Sequence, residues 1–223
     1  MGTLIELTSS DGFKLAAYRA EPAGKPRGAV VVVQEIFGVN SHIKSVADGF
    51  AADGYLAIAP AYFDRAQRGV DLGYTPADIE IGRAFIPKLN WDNTMRDTQA
   101  AVDNVKSAGK FAVVGYCWGG TVAWVAAARI PGVACTVPYY GGGIVSMIGE
   151  QPKCPVMFNW AENDHAIPLD GVKKVEAAHP TAISHIYAGA QHGFNCDQRG
   201  SYNAESAKLA RGRTIEFLRK HVG

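Results

Sequence analysis

FAVVGYCWGGTVAWVAAA, residues 111–128, is the stretch on which the fold turns. Phe111 to Val114 reads as a short buried strand. Thr121 to Ala128 is apolar all round, which places a helix in the middle of the molecule. Between them stand Gly115-Tyr116-Cys117-Trp118-Gly119-Gly120. A reactive side chain presented on a tight strand-to-helix turn needs this context, with small residues two before and two after it so that the backbones do not clash. Serine is the common occupant of the apex; here it is cysteine. The helix N-terminus favours a thiolate at that place, because the aligned peptide dipoles leave partial positive charge beside the sulfur. A buried structural cysteine, followed by glycines that let a helix pack closely, is the other reading of the same six residues.

Outward from this turn, short β-branched runs alternate with longer helical ones. Ala29 to Val33 (AVVVV) is a continuous apolar run, as expected of a strand covered on both faces. Ile43, Val46, Ala47, Phe50 and Ala51 follow at helical spacing, and Asp53-Gly54 ends that helix. Tyr55 to Ala59 reads as the next strand, closed by Pro60. The polar stretch from Ala61 to Trp91 is long for a loop and predicts a short helix and a cap over the site. Met95, Thr98, Val102 and Val105 mark a further helix. Val133 to Val137, Val156 to Trp160 and Ile183 to Tyr187 are later strands, with Val172, Val175 and Glu176 on a helix between the last two. Ala207, Ala210, Thr214, Phe217 and Leu218 stripe a C-terminal helix. The first 20 residues predict a hairpin turning at Asp11-Gly12, added at a sheet edge. The pattern is α/β: a mostly parallel central sheet with helices on both faces, in a single domain over residues 1–223.

Composition narrows the function. Hydrophobic residues are 48% and charged residues 19%, enough for an ordinary core. A net charge of +1 gives no electrostatic footprint for nucleic acid or an anionic membrane. No stretch is apolar enough to span a bilayer. MGTLIELTSSDG lacks the basic start and apolar run of a signal peptide, and Glu6 breaks the myristoylation pattern. The four cysteines, Cys117, Cys135, Cys154 and Cys196, form no C-x-x-C pair, and their spacings suit no zinc site. Reduced thiols and a cytoplasmic location follow as expectations.

A nucleophile on such a turn takes its acid and its histidine in that order along the chain. Trp160-Ala161-Glu162-Asn163-Asp164-His165 comes directly after the strand Val156 to Trp160. Ala190-Gln191-His192-Gly193-Phe194 comes shortly after the strand Ile183 to Tyr187. His192 would take the proton of Cys117 or hold it as an ion pair, and Asp164 would fix the imidazole tautomer and stabilise its charged form. Glu162 is the alternative acid; Pro168, four residues beyond Asp164, favours Asp164. His42, His165, His179, His185 and His221 stand where the order rule does not point. Oxyanion donors would be the backbone N–H of Trp118, after the nucleophile, and that of Ile36, in the loop Gln34-Glu35-Ile36-Phe37-Gly38 that follows Ala29 to Val33.

Gln34-Glu35-Ile36-Phe37-Gly38, Gly115-Tyr116-Cys117-Trp118-Gly119-Gly120 and Gln191-His192-Gly193-Phe194, in this order and spacing, resemble dienelactone hydrolase (carboxymethylenebutenolidase) over nearly the whole chain. The resemblance implies an α/β-hydrolase fold and a cofactor-free hydrolase that opens an enol-lactone through a thioester. It also implies that Glu35 lies near the nucleophile and helps to deprotonate the thiol when substrate binds; a salt bridge or loop hydrogen bond is the plainer role for Glu35. Substrate-triggered ionisation would shield the cysteine from oxidation. Family members that take dienelactone hold its carboxylate with arginines, one of them a few residues after the histidine. This chain has Asn195-Cys196-Asp197 there, with Arg199 the nearest arginine, and Arg65, Arg68 and Arg83 as options between Pro60 and Trp91. Phe37 and Tyr140 are further candidates for the pocket wall.

The expected activity is hydrolysis of a small ester or enol-lactone by Cys117, His192 and Asp164, with no cofactor, no metal and no partner beyond a small-molecule substrate. A monomer is compatible with this. A general carboxylesterase or thioesterase is the near alternative. A non-catalytic binding protein, or a redox-sensing thiol at Cys117, is the alternative from another class.

Overall fold

The computed structural model describes residues 1–223. Eight strands form one sheet: β1 (Thr3–Thr8), β2 (Lys14–Ala20), β3 (Ala29–Val33), β4 (Leu56–Pro60), β5 (Phe111–Tyr116), β6 (Val133–Tyr139), β7 (Met157–Ala161) and β8 (Ile183–Tyr187). Six helices connect and cover them: α1 (Ser41–Ala52), α2 (Pro76–Phe85), α3 (Trp91–Val105), α4 (Trp118–Arg129), α5 (Leu169–Ala178) and α6 (Ala204–His221). The order is β1-β2-β4-β3-β5-β6-β7-β8. β1 and β2 pair antiparallel around the Asp11-Gly12 turn, with β1 at the sheet edge as expected, and β2 meets β4 antiparallel. From β4 to β8 every pairing is parallel.

β3, β4, β5 and β7 are buried at every residue, which only strands covered on both faces achieve. α1 and α6 share one face, where Arg211 of α6 forms an ion pair with Asp53 and stacks 4.1 Å over the Phe50 ring. α3 and α4 pack against each other and against β3. The sheet runs longer than the sequence pattern suggests: β5 continues to Tyr116 and β6 to Tyr139, because the parallel ladder persists as far as the Tyr116 and Tyr139 pairing.

The stretch from Ala61 to Trp91 carries a 3-10 turn at Tyr62–Arg65, then α2, then a second 3-10 turn at Ile86–Lys88. Thr75 and Asp78 cap α2 reciprocally, and Pro76 occupies its first turn, where no N–H is missed. Arg65 and Arg68 anchor the start of this segment. Arg65 donates to Asp97 Oδ1 at 2.7 Å and Oδ2 at 3.0 Å and to Asp11 Oδ2 at 2.7 Å, while Arg68 donates to the Lys14 carbonyl at 2.6 Å. Asp97 has no solvent exposure. Arg65→Ala removes the counter-charge of that carboxylate and leaves it only the Ser9 hydroxyl as a donor, so denaturant unfolding is expected to show a loss of about 3–5 kcal/mol; a cost below about 1 kcal/mol would mean that water replaces the arginine.

The loops at the carboxyl ends of β3, β5, β6, β7 and β8 gather at one rim of the sheet. That is where an open parallel sheet leaves a crevice for ligands.

Candidate active site

Cys117 sits between β5 and α4 at φ 55 and ψ −118, a conformation L residues rarely adopt. Its surroundings explain why three glycines flank it. A Cβ on Gly115 would lie 1.8 Å from the Gly119 carbonyl oxygen, and one on Gly119 would lie 2.5 Å from the carbonyl oxygens of Val33 and Gln34. One on Gly120 would stand 2.4 Å from the Tyr139 carbonyl oxygen. The turn is locked by the Cys117 N–H, which donates to Tyr139 O at 3.0 Å. The thiol projects into a cavity of about 680 Å³.

His192 Nε2 lies 3.1 Å from Cys117 Sγ, and His192 Nδ1 lies 2.8 Å from Asp164 Oδ2. The Asp164 side chain is 1% exposed, and its other oxygen accepts the Ala166 N–H at 2.8 Å. Glu162 points elsewhere and accepts the Gly189 N–H at 2.7 Å. The loops bearing acid and histidine are tied together, since the Asn163 N–H donates to Ala190 O at 2.8 Å. Burial opposes a charged imidazole, but the neighbouring Cys117 and the Asp164 carboxylate, which accepts the Nδ1–H, outweigh it and carry the His192 pKa up to about 10.

Trp118 is the first residue of α4, so its N–H has no partner one turn back within the helix. Ile36, Phe37 and Trp118 line the cavity beside the thiol. The capping segment supplies Ile79, Arg83 and Ile86 to the same wall, so it does cover the site. Arg199 also reaches the cavity, and Nη1 donates to Glu35 Oε1 at 3.0 Å. Of the four arginines singled out in the sequence, Arg83 and Arg199 therefore face the cavity, while Arg65 and Arg68 are committed to the hydrogen bonds that hold the segment in place.

Tyr140 departs from its expected place on the wall. It is fully buried, and its ring packs 5.1 Å from the His192 ring and 5.4 Å from Phe194. A φ of 35 swings it inward, so it backs the histidine instead of meeting substrate. Glu35 is likewise buried and gives up one oxygen to Arg199. His165, Thr121, Gly142, Gly143 and Ser146, none of them a site candidate by sequence, also line the cavity. His165 was within reach of sequence reasoning, because it adjoins Asp164 in a loop at the same rim.

The profile of the dienelactone hydrolase family matches residues 15–222. A Synechocystis sp. protein named "Putative carboxymethylenebutenolidase" is 34% identical over 226 residues, covering 92% of this chain and 91% of its own. A protein of the same name from Azospirillum brasilense is 34% identical over 232 residues, covering 99% of this chain and 100% of its own. Among solved structures, the Klebsiella pneumoniae protein described as a "Putative Dienelactone Hydrolase" superposes with a TM-score of 0.85 at 30% identity, covering 97% of this chain and 98% of its own.

Proposed function

The chain belongs to the dienelactone hydrolase family, has that family's α/β-hydrolase fold and is an ester hydrolase; from that premise we propose that Cys117, His192 and Asp164 are its catalytic triad and that cleavage passes through a thioester. One observation carries the reading. Sulfur, imidazole and carboxylate stand in line at 3.1 Å and 2.8 Å, with the sulfur at the wall of an open cavity.

The chemistry follows from that line. Cys117 Sγ attacks the ester carbonyl as His192 holds the thiol proton. The tetrahedral oxyanion is met by the N–H groups of Ile36 and Trp118. His192 then gives the proton to the departing alkoxide or enolate, leaving an acyl group on sulfur. A water molecule, deprotonated by the same imidazole, releases the acid and restores the thiol. Asp164 holds the Nδ1 proton throughout. Glu35, drawn to Arg199 in the absence of substrate, is a second base that becomes available when an anionic substrate engages the arginine. Mass spectrometry of protein quenched during turnover of an activated ester tests the central step. A mass increase equal to the acyl group, mapped to a peptide containing Cys117, is the expected result; an unmodified protein under acyl-limiting conditions would remove the thioester from the mechanism.

The cavity wall supports a small apolar acyl or lactone substrate carrying a carboxylate, with apolar contacts from Ile36, Phe37, Ile79 and Trp118 and cations at Arg83 and Arg199. Arg83→Gln is the cleaner probe, because Arg199 also neutralises Glu35. It is expected to raise KM for dienelactone by roughly 10-fold or more, the worth of a charge-assisted hydrogen bond, with KM for a neutral ester of similar size unchanged. Equal effects on both substrates would make the enzyme a general carboxylesterase with no carboxylate site. No helix of the structure is long and apolar enough to cross a membrane. Four unpaired cysteines support a reducing, cytoplasmic setting.

A further inference from the structure

Behind the catalytic line lies a second convergence of side chains that ester hydrolysis does not use as a group. Glu35, His42 and Cys196 are 1%, 4% and 0% exposed. One donor atom of each lies within 4.8 Å of the other two. Glu35 gives Oε1 to Arg199, but Oε2 has no hydrogen-bond partner. His42 places Nδ1 3.2 Å from Asp197 Oδ1, but Nε2 has no partner. Buried polar atoms are almost always satisfied, so two orphans in one cluster with a thiol call for a ligand. No hydrogen bond joins the two atoms directly, and an atom between them would satisfy both.

The donor set identifies the class of ligand. A carboxylate, an imidazole and a thiol together favour a borderline divalent cation over magnesium or calcium, which prefer oxygen alone. The Asp197 carboxylate on the far nitrogen of His42 is the outer contact that orients a metal-bound imidazole and raises its basicity. Charge is balanced too. Glu35, a Cys196 thiolate and Asp197 would be offset by Arg199 and a dication. His42 and Asp197 also line a second, open cavity of about 290 Å³ with Tyr116 and Arg211, which gives an ion a route that avoids the substrate cavity.

We propose that Glu35, His42 and Cys196 form a binding site for a zinc-class divalent cation, and that filling it arrests hydrolysis by holding Glu35 at the cation, where it cannot act as the second base. On binding, the Cys196 thiol releases its proton to solvent and forms the metal–sulfur bond. The three donors are spread along the chain at positions no zinc motif joins, which is why cysteine spacing excluded a metal site. The arrest, unlike the binding, rests on the reading of Glu35 as a base in the hydrolase mechanism.

The test uses Cys117→Ser protein, so that the catalytic thiol cannot bind metal and binding is read without turnover. Titration with Co2+ is expected to give one equivalent with a thiolate-to-metal charge-transfer band. The band should vanish in Cys117→Ser/Cys196→Ser. Affinity should fall at least 10-fold in Cys117→Ser/His42→Gln, and about 10–100-fold in Cys117→Ser/Asp197→Asn, where only the outer contact is lost. No band, or a band that survives Cys196→Ser, overturns the site; in the first case the gap holds water. Thermal unfolding of each variant separates loss of a ligand from loss of the fold, and the exposed Asp197 position keeps the test decisive should a core variant unfold. For the arrest, Zn2+ is expected to inhibit wild-type ester turnover reversibly to chelator and to inhibit Cys196→Ser at least 10-fold more weakly. Equal inhibition of both places the inhibitory ion on Cys117 and removes the arrest.

Discussion

Cys117→Ala is expected to lower kcat for activated esters by on the order of 10⁴ to 10⁶, with the fold intact. The size follows from what the residue does: without sulfur there is no acyl-enzyme, and removing the nucleophile of a triad forfeits nearly all of its acceleration at once. What remains is the slow attack of water on a carbonyl polarised by the proposed oxyanion donors, the Ile36 and Trp118 N–H groups, worth about 10³ to 10⁴ over the uncatalysed reaction. Stability should barely move. Alanine occupies less space than cysteine, the side chain faces a cavity, and the positive φ is held by the Cys117 N–H bond to Tyr139 and by the close approach of Gly119 to the β3 carbonyls. Thermal unfolding of the variant separates this outcome from misfolding. A variant that retains wild-type kcat shows that Cys117 is not the nucleophile, and peroxide reactivity of the same thiol without any ester turnover in the wild type would make it a redox sensor.

The fold and the alignment of Cys117, His192 and Asp164 were legible because both are written as local patterns. The all-valine run of β3 reports burial on two faces, and the glycines around Cys117 report backbones closer than any Cβ allows. The order of nucleophile, acid and histidine then leaves few positions to choose from. Arg199 was legible only as one option among four arginines, because the rule that an arginine follows the histidine by a few positions assumes one loop path. Here the chain after His192 winds through successive turns, with Cys196 N–H donating to Gly193 O at 2.9 Å and Arg199 N–H to Cys196 O at 3.1 Å. Gly193, at φ 80, leaves room for the guanidinium where a Cβ would sit 2.4 Å from Nη1. Seven residues downstream, the chain returns to the cavity. Tyr140 failed in the opposite sense: its position after β6 suggests the rim, and only its backbone conformation turns the ring inward. His42 looked like one more helical histidine, since nothing local to α1 shows that Glu35 and Cys196 will face it.

Asp164→Asn is the other substitution expected to be severe, and it discriminates more finely because it changes one charge and almost no volume. Asp164 accepts twice, from the Ala166 N–H at Oδ1 and from His192 Nδ1 at Oδ2. An asparagine keeps the first bond by placing its carbonyl oxygen there, so its NH2 turns towards His192. Nδ1 must then accept, the ring proton moves to Nε2, and the nitrogen facing Cys117 can no longer take the thiol proton. Inverting a tautomer in this way costs on the order of 10⁴ in kcat in a triad. The pH profile carries the second signature. The imidazolium of His192 is held up to a pKa of about 10 against its own burial by the neighbouring Cys117 and the bond to Asp164. Its stabilising contribution is complete below the ordinary histidine pKa and is lost as pH rises through about 10. Removing the carboxylate weakens the charged form, so the alkaline limb of kcat/KM should move to lower pH. A fall in kcat with that limb unmoved would mean that Asp164 only positions the ring. A variant with wild-type kcat and an unshifted limb would take Asp164 out of the triad and reopen the choice of acid.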